Sequence, residues 1–92
     1  MAPRTPIEEV LRFLGIEDRE FLEALRREGL FEDEALEPEA AEELRVAANL
    51  VRELGVNPAG VGVVLHLRRR LLVLETRARE TLRSVLEDGE PG

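Results

Sequence analysis

The chain contains no cysteine, lysine, glutamine, tyrosine or tryptophan, and only one histidine. Without cysteine there are no disulfides, no thiolate nucleophile and no sulfur-ligated zinc. With His66 as the lone imidazole, a metal site would have to rest on carboxylates alone, so none is expected. No apolar run reaches the ~18 residues a membrane-spanning helix needs. The N-terminal "MAPRTPIEEV" has no hydrophobic signal core, and a cytoplasmic protein is expected. There is also no GxSxG, no phosphate-binding glycine loop and no nucleophile–base spacing. Twenty carboxylates make chance pairs certain, so an acid–base dyad carries no weight. Neither an enzyme nor a cofactor is expected.

What is present is a short, highly charged and ordinarily apolar chain. Its 92 residues amount to one small domain, with 43% apolar and 36% charged residues. A domain of this size buries only about 60–65% of its unfolded surface, so dimerisation would help it. Every basic residue is an arginine, and the net charge is -7. The charge is uneven: residues 1–43 hold 5 arginines against 14 acids, whereas residues 44–92 hold 8 against 6.

Helix signals punctuate the chain. Thr5-Pro6-Ile7-Glu8 reads as a capping box, with Thr5 as N-cap and Glu8 reaching back. Ile7, Val10, Leu11 and Leu14 then form a helical stripe that Gly15 stops. A second helix is predicted from near Asp18 to Glu28, with Phe21, Leu22 and Leu25 inward and Gly29 as its end. Two short helices across a glycine turn make a helix-turn-helix. Leu30 to Ala40, "LFEDEALEPEA", shows no period and reads as a loop, with short strands around residues 30–37 left open.

A third helix is predicted from Pro38 or Glu39 to Leu54, burying Leu44, Ala47, Ala48, Val51 and Leu54 and ending at Gly55. Asn57-Pro58 then caps and opens a last helix with no breaker before Gly89. At 1.5 Å per residue it would reach about 45 Å, so its far end should project. Gly60 and Gly62 in its first turns predict either close approach of the third helix or an irregular helix start. Val64, Leu67, Leu71, Leu74, Ala78, Thr81 and Val85 alternate by three and four, a heptad seam for a coiled-coil homodimer. The same stripe could instead pack back on its own domain. Arg68 to Arg70 point in three directions on a helix and read as surface charge.

The stretches "IEEVLRFLGI", "REGL" and "RELGVNPAGV" resemble the MerR-like winged helix-turn-helix superfamily over roughly Pro6 to Leu86. The Leu-Gly-hydrophobic junction followed by Asn-x-x-Gly-Val is most similar to chaperone modulators of the CbpM type and to MerR-related heat-shock repressors. The resemblance implies an all-α fold class: a winged helix-turn-helix with a degenerate wing and a long C-terminal dimerisation helix. It divides the chain into residues 1–56, the helix-turn-helix with an acidic wing-like loop and third helix; 57–88, the dimerisation helix; and a tail, 89–92.

The chain departs from the DNA-binding members of that superfamily. They carry an Arg-Tyr-Tyr-like run just before the acidic-Gly-Leu ending, and here that run is Glu23-Ala24-Leu25. The wing position holds "FEDEALEPE". Each phosphate contact needs a cation, so DNA binding is not expected. The resemblance to chaperone modulators implies instead a partner, the J-domain of a DnaJ-like co-chaperone, whose action on DnaK would be blocked or tuned. Complementary charge would speed and select that encounter. The expected contact residues are Asp18, Glu20, Glu23, Glu32, Asp33, Glu34, Glu37 and Glu39, continuing towards Glu17, Glu42 and Glu43. Two alternatives stay open: a MerR-family transcriptional regulator binding DNA as a dimer, and a non-catalytic dimeric adaptor. By composition alone, the acidic loop also fits a merely solvated surface.

Overall fold

The computed structural model describes residues 3–89. Within them the order is β1 (Thr5–Pro6), α1 (Ile7–Phe13), α2 (Arg19–Arg27), β2 (Ala35–Leu36), α3 (Pro38–Leu54) and α4 (Pro58–Asp88). The molecule is mostly helical, as expected. Of the expected tail at 89–92, only Gly89 lies among the described residues.

Most helix ends fall where the local chemistry set them. Asp18 caps α2, its Oδ1 accepting from the Glu20 N–H at 2.9 Å. Gly29, at φ +77°, lets the chain turn away after α2. α3 opens with Pro38 in its first turn and closes on a left-handed Gly55, behind which the Val56 N–H reaches the Leu50 carbonyl at 2.9 Å. Asn57 caps α4 by accepting from the Gly60 N–H at 2.8 Å.

The capping box at Thr5 is not there. Thr5 is extended and pairs with Leu36, and Pro6 with Ala35, as a short antiparallel ladder. α1 has no side-chain cap, and its first N–H, on Ile7, goes to the Glu34 carbonyl at 2.9 Å. The ladder satisfies the helix start, so Thr5 is not needed for it. The segment read as a loop, with short wing strands left open around residues 30–37, therefore holds a strand at Ala35–Leu36. Two residues are too few to show a period in sequence.

The core gathers Ile7, Val10 and Leu11 of α1, Leu22 and Leu25 of α2, Leu36 of β2, Leu44 and Ala47 of α3, and Val61 and Leu65 of α4. Leu54, expected inside, is 72% exposed. It sits on the last turn of α3, and Val56 beyond Gly55 turns in to the core instead. The α4 glycines do not meet α3. A Cβ on Gly60 would lie 2.8 Å from Val56 Cγ1 and 3.2 Å from Asn57 Oδ1, and one on Gly62 only 3.8 Å from Leu30 Cδ1. The first glycine makes room for the helix cap itself; the second faces the end of the α2 turn.

α4 leaves the body after its first three turns. Its 31 residues span about 46 Å at 1.5 Å per residue. The molecule extends 61 Å along its longest axis, and its radius of gyration is 17.4 Å. A compact domain of this length would have about 12 Å.

Candidate partner-binding surfaces

The expected acidic residues all lie outside the apolar core, on two sides of the molecule and on the segment between them. Asp18 and Glu20 border a cleft of about 360 Å³ with Glu17, floored by Ile16, Phe21 and Val51. Asp33, Glu37 and Glu39 border a larger cleft of about 1040 Å³ between β2, the start of α3 and the projecting part of α4. Leu72 and Val73 line that cleft, and Arg68 and Arg77 stand on its α4 side. Glu23, Glu32 and Glu34 are exposed and border neither cleft.

Three of the eight are engaged by arginines: Glu20 by Arg27, Glu34 by Arg26 at 3.8 Å and Glu37 by Arg4 at 3.5 Å. Among the described residues no ion pair engages Asp18, Glu23, Glu32, Asp33 or Glu39. Asp18 is committed to its helix cap. Glu42 and Glu43 are neutralised: Glu42 by Arg45 on the same turn, and Glu43 by Arg69 of α4. The Arg45 hydrogen bond holds the Glu42 carboxyl below the usual carboxylate value, with desolvation opposing and the charges of Arg45 and Arg68 adding. The same pair holds Arg45 above its ordinary value, and Glu43 does so for Arg69.

Arg26 is a residue that periodicity did not single out. Its Nε donates to the Phe31 carbonyl at 2.8 Å and its Nη2 to the Asp33 carbonyl at 3.3 Å. Phe31 is the one non-glycine residue at positive φ, +54°, among the described residues. Arg26 thus clasps a left-handed turn onto α2 and sets where the acidic segment leaves the helix. A basic residue in the last turn of a helix before an acidic loop was the available signal.

Of the expected seam residues, Val64 is half-buried, and Leu67, Leu71, Leu74, Ala78, Thr81 and Val85 are exposed. Only Val64 is partly covered by the chain's own body. Among the described residues no group of three metal-ligating side chains gathers, and no helix is long and apolar enough to cross a membrane.

No known protein family, curated protein or solved structure matches the chain.

Proposed function

We propose that this chain is a non-catalytic chaperone modulator: a MerR-like helix-turn-helix protein with a vestigial wing that acts as a homodimer. It binds the J-domain of a DnaJ-like co-chaperone and so limits that domain's action on DnaK. The observation that carries the reading is the electrostatic state of α2 and the segment behind it. Arg27 is taken up by Glu20, and Arg26 by the loop carbonyls and Glu34. Among the described residues, Glu23, Glu32 and Asp33 meanwhile keep their side-chain charge free of ion pairs. Of the three arginines of α2 only Arg19, exposed at its start, is without an ion pair among the described residues. The unpaired charges of the helix and the segment behind it, Arg19 against Glu23, Glu32 and Asp33, thus remain net negative and favour a basic helix over phosphate. The resemblance of the Arg52 to Val61 junction to chaperone modulators supplies the partner class.

The test is calorimetric titration of the purified protein with the isolated J-domain of the host's DnaJ-like proteins, at low and moderate salt. Micromolar binding that salt weakens is expected. It should be lost in the triple variant Glu23→Lys, Glu32→Lys, Asp33→Lys, whose positions are all solvent-exposed. The same preparations are titrated into a labelled DNA duplex. Binding to the duplex by the unaltered protein, with no heat from any J-domain, would replace this reading with the regulator.

A further inference from the structure

Among the described residues, the two most exposed large apolar side chains are Phe13, at 89%, and Leu54, at 72%. Phe13 ends α1 and Leu54 ends α3. The two helix ends are joined: Nη1 of Arg52 donates to the Leu14 carbonyl at 3.3 Å. A single apolar residue on a surface needs no explanation, but two at one junction mark a contact surface.

Beside that junction opens the cleft of about 360 Å³ bordered by Glu17, Asp18 and Glu20. Gly15, two residues after Phe13, and Arg52, two before Leu54, belong to its wall. Its floor is the outer side of the core, where Ile16, Phe21 and Val51 pack half-buried. That packing makes the floor preformed. The volume is near the small end of ligand-sized sites, so the cleft takes a short segment and not a folded domain.

The rim sets the sign of the occupant. Glu17 has no ion pair among the described residues. The helix cap uses only Oδ1 of Asp18, and Glu20 is shared with Arg27. Arg19, between them in sequence, does not border the cleft. The one arginine that does, Arg52, stands on the α3 side and is held to the Leu14 carbonyl. The side formed by the α1–α2 turn is therefore negative and draws a cation. A small organic cation would leave Phe13 and Leu54 bare, whereas a peptide reaches them while filling the cleft. In an extended peptide alternate side chains share a face, so the cation stands two residues from the apolar anchor.

We propose that this cleft, where the α1–α2 turn meets the end of α3, holds a short extended segment of a protein partner. That segment seats an aliphatic side chain on Phe21 and Val51. An arginine or lysine two residues away faces Glu17 and Asp18, and Phe13 and Leu54 add apolar contact at the edge. Glu23, Glu32 and Asp33 do not border the cleft. The proposal is thus separate from the co-chaperone reading, and its test contains no co-chaperone.

The probe is a capped pentapeptide, Arg-Ala-Leu-Ala-Arg, carrying a neutral fluorophore and followed by fluorescence polarisation. Saturable binding to the unaltered chain is expected. Replacing both arginines of the peptide with glutamate, or its leucine with serine, should weaken binding about tenfold or more. Ala24→Leu, which fills the cleft from α2, and Glu17→Arg at the rim should each do the same. Glu87→Arg makes the same charge change at the exposed far end of α4 and should leave affinity unaltered. The double variant Phe13→Ser, Leu54→Ser should weaken the peptide about threefold. The proposal is overturned by absence of binding, by equal binding of either altered peptide, or by an equal loss in Glu87→Arg. A second copy of the chain is the competing occupant. If sedimentation shows self-association that the double serine variant abolishes, the peptide assignment falls. Circular dichroism checks that each variant still folds.

Discussion

Arg69 of α4 grips Glu43 of α3 with both arms of its guanidinium, Nε to Oε2 at 2.6 Å and Nη2 to Oε1 at 2.7 Å. The two ends differ in surroundings: the Glu43 side chain is 11% exposed and that of Arg69 is 59% exposed. The bridge sits where α4 begins to leave the body, and it fixes the angle of departure. Arg69→Ala strands a nearly buried carboxylate and should destabilise the fold by about 2–3 kcal/mol in urea unfolding. Replacing both residues with methionine should cost much less, because neither charge is then left alone. Equal losses for the single and double variants would show that the pair is not the clamp described.

The two glycines at the start of α4 should respond with opposite signs to the same change. Gly62→Ala meets only Leu30 Cδ1 at ordinary contact distance, so it should stabilise by up to about 1 kcal/mol through helix propensity. Gly60→Ala drives a methyl into the β-branched Val56 and the capping Asn57. It should destabilise by about 1–2 kcal/mol despite the better propensity, as overpacking and a disturbed cap do. Thermal unfolding of the two variants side by side checks the sign.

Acid should reveal the pairing of Glu42 with Arg45. A carboxyl held below its ordinary value of 4.5 contributes stability that is complete above that pH. The contribution disappears as pH falls through the lower folded value. Glu42→Gln should therefore melt slightly below the unaltered protein at pH 7, with no change in the gap down to pH 5.5. The gap should close below pH 4.5. A gap that widens in acid would contradict the lowered carboxyl.

Arg26 should matter to the shape of the acidic segment as well as to stability. Arg26→Met keeps the aliphatic stem and removes both carbonyl contacts, so the fold should lose about 1–2 kcal/mol. Amide exchange at residues 31–34 should accelerate, because the left-handed Phe31 is then held by packing alone. Protection unchanged in that segment would mean that the β1–β2 ladder alone positions it.

The boundaries of the helices were legible because each rests on a side chain or glycine acting on its own neighbours. Asp18, Gly29, Pro38, Gly55 and the Asn57-Pro58 pair all act within a turn of where they stand. Thr5 and Pro6 misled because a capping box and a strand look alike over two residues, and the deciding partner, Leu36, is thirty-one positions away. Leu54 misled because periodicity says which way a residue points along a helix and not whether anything is there to meet it. The acidic residues were easy to find but not to group. Their division between two clefts depends on how α4 passes over β2, which no local pattern encodes.

The ladder between Thr5 and Leu36 closes the first third of the chain into a ring, with the Ile7 N–H and the Arg4–Glu37 ion pair on either side of the closure. Mechanically, the N-terminal end is thus moored to the root of α3 as well as to α1, which follows it directly. A load applied at Pro3 would be shared through that clasp between the start of α1 and the root of α3. Any tether attached there would pull on both arms of the ring at once.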